Sequence, residues 1–308
     1  MSLHNKNKQI KKIIVSDLLW SNVGCEIILK GTVKFLESRF KNYDLQFYVP
    51  SHQPEHDEKL FSEIKNIKII PMVAWRRYAR GALKKLGLYP KFWIPRFDSA
   101  YFDNSDLFIS VGGDIYTMFN DKIPDDWVGY EIYASKKNIS SMMIGASMEK
   151  FEVLPPSEKE FLVDHLNRFE AILVRDMATK EYLELHNVSN NVSMFPDPIF
   201  LLREKTIFKR NIVKNIGINF TPIMIKKFGQ GILDKYASIV IELINEGFNI
   251  KFISHVYSPQ GNINIDDQKA INLLIAQGYT VLDLQGEIID KNILKDKLNE
   301  SNRQNNSN

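Results

Sequence analysis

Short apolar runs alternate with longer amphipathic stretches along most of the chain. Apolar runs at 12–16, 45–49, 67–70, 107–111, 140–144, 171–174 and 192–195 predict buried strands. Helical spacing predicts helices over 25–40, 157–169 and 179–186, with Ser157 as N-cap and Glu160 at the capping-box position. A second series follows: strands at 215–219, 249–254 and 280–284, and helices at 231–246, closed by Gly247, and at 266–277. Such βα alternation predicts α/β architecture, with parallel sheets covered on both faces. The charged connecting stretch near 200–213 places the boundary between an N-terminal Rossmann-like lobe, 1–205, and a second lobe, 206–300. The polar tail 301–308 cannot bury a core and is expected to be disordered.

Composition narrows the function classes. Forty basic and 37 acidic residues give a net charge of only +3, which argues against a nucleic-acid partner. A single cysteine, Cys25, leaves no internal disulfide and no zinc cluster. No apolar run reaches the roughly 20 residues of a membrane span. The lysine-rich start lacks a signal-peptide core, so a cytoplasmic protein is expected. Residues 75–96 mix Arg, Lys, Trp, Tyr and Phe. That segment reads as a solvated helix with its flanking loop, as a surface for an anionic lipid headgroup or diphosphate-linked glycan at the inner face of the membrane, or as a protein interface.

Four segments carry candidate chemistry. Asn22-Val23-Gly24-Cys25-Glu26 lies between the first strand and first helix, where free N–H groups favour an anion unless Glu26 satisfies them. Gly112-Gly113-Asp114-Ile115-Tyr116 follows a buried strand, at the edge where open α/β sheets bind ligands. It makes a tight turn, or presents a carboxylate and a phenol at the crevice. Arg175-Asp176 ends the strand at 171–174. The pair is a strand-end salt bridge, or Arg175 is a fork for a carboxylate or phosphate. Asp197, in Pro196-Asp197-Pro198, is a turn former if nothing more.

Taken in order, N-x-G-C-E (Asn22 to Glu26), S-x-G-G-D-x-Y (Ser110 to Tyr116), Ile144-Gly145-Ala146-Ser147, V-R-D-x-x-T-x-x-Y-L (Val174 to Leu183) and P-D-P-x-F (Pro196 to Phe200) resemble the polysaccharide pyruvyltransferase family. The likeness spans roughly residues 12–300 and is greatest to members from exopolysaccharide and capsule gene sets. The resemblance implies two Rossmann-like lobes facing a cleft, as in GT-B glycosyltransferases. It also implies transfer of pyruvate from phosphoenolpyruvate to the hydroxyls of a lipid-linked or polymeric sugar, commonly as a ketal, with no cofactor beyond the donor itself. Carried over by motif, Arg175, Asn22 and Gly24 bind the donor. Gly112, Gly113 and Tyr116 line the acceptor side, and Asp114 is catalytic.

The family's late R-x-H motif, whose histidine is the usual general acid, is not found after residue 300. Residues 292–301 resemble the helix that precedes it. The resemblance therefore implies an incomplete second lobe and weakened or absent transfer. Among the six histidines, His255, at the end of a second-lobe strand, is the candidate substitute acid. His165 and His186 fall on helices, with surface or core roles as the default. Two other readings stay open: a non-catalytic remnant that binds sugar or phosphate, and a GT-B glycosyltransferase using a nucleotide sugar.

Overall fold

A computed structural model describes residues 9–16, 22–86, 95–118, 123, 125–189, 191–202, 215–256 and 266–285. The chain divides into two compact units, Met1–Trp20 with Cys25–Glu204, and Ser21–Gly24 with Lys205–Asn308. The expectations for the tail 301–308, for the helix at 292–301 and for most of the connecting stretch lie outside the described residues, as does part of the 75–96 segment.

The first unit contains β1 (Gln9–Ser16), β2 (Tyr43–Ser51), β3 (Ile67–Pro71), β4 (Leu107–Val111), β5 (Ser140–Ala146), β6 (Ala171–Val174) and β7 (Val192–Met194). Its helices are α1 (Val23–Arg39, of this unit from Cys25 on), α2 (Pro54–Leu60), α3 (Ala74–Lys85), α4 (Ser99–Asp103), α5 (Asp125–Lys136), α6 (Pro156–Leu166) and α7 (Met177–Leu185). The seven strands form one sheet in the order β3-β2-β1-β4-β5-β6-β7. Every neighbouring pair is parallel. The fold is α/β, as the alternation predicts.

Period-two alternation explains why both faces are covered. Ile13 and Val15 enter one core with Leu29, Leu36, Phe47 and Val49. Ile14, between them, enters the other with Tyr48, Phe102, Phe108 and Leu162. A strand buried on both faces reads as a continuous apolar run, the signature seen at 12–16 and 107–111.

The second unit pairs β8 (Asn215–Ile218) with β9 (Asn249–Phe252) in parallel. Its helices are α8 (Pro222–Phe228), α9 (Gly231–Asn245) and α10 (Asp267–Gln285). Phe220, Leu233, Ala237, Ile241, Ile250, Phe252 and Ile271 share its core. Within this unit the Val23 amide donates to the His255 carbonyl at 3.0 Å. Asn22 forms an isolated antiparallel bridge with Val256.

Three local expectations are corrected. The strand read at 280–284 is the end of α10. A short apolar run does not by itself distinguish strand from helix, and one interior glycine, Gly278, costs a helix only about 1 kcal/mol. Helix α6 starts at Pro156, with no side-chain cap from Ser157. Proline is pre-set for the first helical turn and has no N–H to satisfy, so the Pro155-Pro156 pair starts the helix earlier. Helix α7 starts at Met177 rather than at Thr179, because the Asp176 side chain accepts the Thr179 amide and caps it.

Candidate functional site

The order of the first sheet reverses between β1 and β4, and ligands of open α/β sheets bind beyond the carboxyl ends of the strands at such a reversal. The Gly112–Asp114 turn leaves β4 there. Gly112 donates its amide to the Ile144 carbonyl at 3.4 Å, and Ser147 donates its amide to the Gly113 carbonyl at 2.7 Å. Strand β5 meets β6 with a register shift between Ile144 and Ala146. Gly145, with φ +81°, supplies the left-handed turn at that shift. The shift carries Ser147 beside the glycine pair.

Arg175 is the first residue beyond β6, after the buried Ile172 and Val174. Its Nε donates to Ser147 Oγ at 2.8 Å and its Nη2 to Asp114 Oδ1 at 3.1 Å. A longer contact of 3.4 Å joins Nη1 to Asp197 Oδ2. The guanidinium lies against Gly113, where a Cβ would fall 3.0 Å from Nη1. Four consecutive loops, after β4, β5, β6 and β7, therefore deliver Asp114, Ser147, Arg175 and Asp197 to one place.

Asp176 completes the cluster. Oδ1 accepts the Thr179 amide at 2.7 Å, and Oδ2 accepts from Ser147 Oγ at 2.8 Å. Partial burial raises its pKa. The Thr179 amide, the Ser147 and Thr179 hydroxyls and the Arg175 charge outweigh that, and hold the carboxyl below its ordinary range. Ser147 donates its one hydroxyl proton to Asp176 and accepts from Arg175, which fixes both its roles. Ser147, Arg175, Asp176, Phe195, Asp197 and Phe200 line an open pocket of ≈ 610 Å³. That volume is ordinary for a small-molecule site.

The electrostatic balance matters. One guanidinium faces Asp114, Asp176 and Asp197. Two of these carboxylates are tied down: Asp176 caps α7, and Asp197 accepts the Ile199 amide at 3.1 Å through Oδ1. Asp114 is the loose one, its side chain 65% exposed against 29% for Arg175. Exposed ion pairs are worth only about 0.2–1 kcal/mol, so this contact is cheaply exchanged.

The sequence-derived candidates fare unequally. Gly112, Gly113, Asp114 and Arg175 come together. Tyr116 does not present its phenol at a crevice: it is fully buried, with φ +60°, and bonds to His165. The turn reverses at Tyr116 and carries the ring inward beneath the loop. Asn22 accepts the Gly24 amide at 2.8 Å through Oδ1. That capping bond occupies one of the free N–H groups assigned to an anion, and the Val23 amide is taken by the His255 carbonyl. His255 itself is exposed, three residues past β9, with its amide held by Asp267 Oδ2 at 2.9 Å. Sequence reasoning missed Ser147 and Asp176 as site residues. The Ile144-Gly145-Ala146-Ser147 turn and the cap spacing Asp176-x-x-Thr179 were the signals that could have found them.

The sequence model of the polysaccharide pyruvyl transferase family matches residues 22–301. The chain belongs to this family. That family is one of transferases. No curated protein matches the chain. Among solved structures, a putative UDP-N-acetylglucosamine 2-epimerase from Listeria monocytogenes is similar at 10% identity and a TM-score of 0.50, over 86% of this chain and 66% of that one. UDP-GlcNAc 2-epimerase from Neisseria meningitidis gives 10% identity and a TM-score of 0.49, over 87% and 69%. The E. coli heptosyltransferase WaaC with ADP gives 12% and 0.36, over 88% and 72%. The Listeria likeness shows the fold alone, a GT-B-like α/β class, and this chain spans just under two thirds of that protein. No helix among the described residues is long and apolar enough to cross a membrane.

Proposed function

We propose that this chain transfers pyruvate from phosphoenolpyruvate to two hydroxyls of a lipid-linked or polymeric sugar, in synthesis of a surface polysaccharide. The arrangement that carries the reading is Arg175, held by Ser147 and facing a displaceable Asp114, in a chain of this family. The donor is an anion, and arginine grips a carboxylate or phosphate in two places. In this reading, the donor's anionic group takes the place of Asp114 on Nη2. Asp197 and Ser147 keep the guanidinium aimed.

The reaction needs a proton on the donor's terminal carbon. A sugar hydroxyl oxygen then bonds to the adjacent carbon and gives up its proton. Phosphate leaves from that carbon as the second hydroxyl closes the ketal and gives its proton to the departing phosphate. In this reading Asp114, released from Arg175, stabilises the cationic carbon or accepts a hydroxyl proton. Phosphoenolpyruvate is a substrate here, and no resident cofactor enters the scheme.

The test has two arms. Phosphate release from phosphoenolpyruvate is assayed with a panel of nitrophenyl and lipid-linked sugars, and donor affinity is measured by calorimetry for the parent and Arg175→Ala. Loss of one charge-assisted contact costs about 1.5–3 kcal/mol, roughly 10- to 150-fold in affinity. Equal affinities would remove Arg175 from the donor site. Donor binding without phosphate release for any sugar would overturn the transfer reading.

A further inference from the structure

Residues 72–97 hold seven of the chain's 40 basic residues and none of its 37 acidic ones. The chain's net charge is +3, so the rest of it is net −4 and this stretch alone is +7. The positive charge is thus concentrated, in a segment that the transfer chemistry does not use. Five of the seven cations lie on α3: Arg76, Arg77, Arg80, Lys84 and Lys85.

The aromatic residues of α3 are not packed away. Trp75 is 60% exposed, Tyr78 77% and Leu86 71%. The Leu86 amide still closes on the Ala82 carbonyl at 3.0 Å, so helical spacing extends to it. Positions 75, 78, 82 and 86 then fall on one face, at intervals of three and four residues. A soluble helix normally turns such a stripe towards a core. Here the large side chains on it face outward. The first turn is nevertheless held firmly: Val73 donates its amide to the Arg96 carbonyl at 2.6 Å, and Arg76 Nη1 donates to the Pro95 carbonyl at 3.3 Å.

We propose that α3 is an interfacial helix that seats this protein on an anionic lipid bilayer. Three features select a membrane surface. Tryptophan and tyrosine favour the headgroup level, where an apolar ring and a polar edge are both satisfied. A cluster of cations without acids is attracted by an anionic leaflet. Twelve residues make a helix of only about 18 Å, too short to span a membrane but long enough to lie along one.

The placement within the first unit gives the contact a purpose. Helix α3 begins three residues beyond the carboxyl end of β3, on the same edge of the parallel sheet as Gly112 and Arg175. Five strand spacings separate β3 from β6, about 24 Å. A bilayer touching α3 thus lies within reach of a sugar carried a residue or two beyond a lipid diphosphate. The membrane proposal stands without the transfer reading, and only this last step rests on it.

The experiment is vesicle co-sedimentation of the full chain at low and high salt. Vesicles of phosphatidylcholine alone are compared with vesicles containing about a third phosphatidylglycerol. Binding is expected only with the anionic vesicles, falling as salt rises. Lys85→Glu, on an exposed position, should weaken it by roughly fivefold or more. Trp75→Ser with Tyr78→Ser should abolish it while the thermal midpoint stays within about 2 °C of the parent, because both side chains are exposed. Equal binding to neutral and anionic vesicles, or binding indifferent to the Trp75 and Tyr78 changes, overturns the proposal. So does a concentration-dependent dimer in sedimentation velocity that the same double variant dissolves, without vesicle binding, which makes the face a contact between copies.

Discussion

The Tyr116 phenol lies 2.7 Å from His165 Nε2, and both side chains are fully buried. On the other side of the ring, His165 Nδ1 is 2.8 Å from the Glu131 carboxylate, which Arg168 grips through Nε and Nη2. The carboxylate can only accept, and its 2.8 Å contact outweighs the 3.1 Å approach of Arg168 Nη2 to the same nitrogen. Nδ1 carries the hydrogen and donates to Glu131, so Nε2 accepts from Tyr116. The result is a buried chain of polar groups that ties α6 and α5 to the loop carrying Asp114.

Acid should loosen this chain. Burial lowers the His165 pKa, and the attraction of Glu131 does not reverse it. The folded state thus holds a neutral imidazole, while an unfolded histidine protonates near pH 6.5. Below that value the unfolded chain binds the extra proton, and stability falls as pH drops until His165 titrates in the fold. Burial raises Glu131, but His165 and Arg168 outweigh it and hold it below its ordinary range. Its stabilisation is present above the unfolded carboxylate value and lost lower down, in the same direction. Urea unfolding of the parent should show a loss of up to about 1.4 kcal/mol per pH unit between pH 6.5 and 5.5, reduced in His165→Gln. A flat profile would rule out the neutral imidazole.

Tyr116→Phe removes one hydroxyl and leaves His165 Nε2 buried without its donor. A cost of about 1–3 kcal/mol in unfolding free energy follows. An unchanged stability would mean that the phenol hydrogen bond contributes nothing net.

Gly31 on α1 faces the chain immediately after Asp197. A Cβ at this position would overlap the Pro198 backbone carbonyl. Helix propensity alone favours alanine by about 1 kcal/mol. Backbone overlap opposes it, and overpacking typically costs about 1–3 kcal/mol. Gly31→Ala should therefore lower the thermal midpoint and weaken donor binding, by pushing Asp197 away from Arg175. A more stable Gly31→Ala protein would show that the segment moves aside freely.

Asp114→Asn separates binding from chemistry. The exposed carboxylate competes with an anionic donor for Arg175 Nη2, so its removal should tighten donor affinity by up to about fivefold. Loss of the group proposed to serve the acceptor should lower turnover by about 10²-fold or more. Weaker donor binding in this variant would mean that Asp114 does not stand where the donor binds.

Much of the fold was legible, and the site was legible in part. The central strands of the first sheet announced themselves because a strand buried on both faces is apolar throughout, as at 12–16 and 107–111. The Arg175 and Gly112-Gly113 elements were visible because a charged residue or a glycine pair directly after such a run marks the ligand edge of the sheet. Tyr116 was misjudged because nothing local distinguishes a phenol facing a crevice from one turned inward by a residue at φ +60°. Its partner, His165, lies 49 positions away. At Asn22 the side chain that looked suited to a ligand satisfies its own helix by accepting the Gly24 amide. Thr280 and Val281 misled because β-branched residues favour strands only where a neighbouring strand receives them.

The cluster around Arg175 is assembled from four loops, and the last of them hangs on the shortest strand. Strand β7 has three residues, lies at the rim of the sheet, and is ladder-bonded to β6 alone. Rim segments of this kind open locally, well below the free energy that unfolds the whole domain. Each opening releases Asp197 and one wall of the pocket while β1, β2, β4 and β5 stay folded. Occupancy by an anion that Arg175 holds would resist that opening. Amide hydrogen exchange in β7 should therefore slow on phosphoenolpyruvate binding, with β1 unchanged, making this rim strand a reporter of ligand inside an otherwise silent sheet.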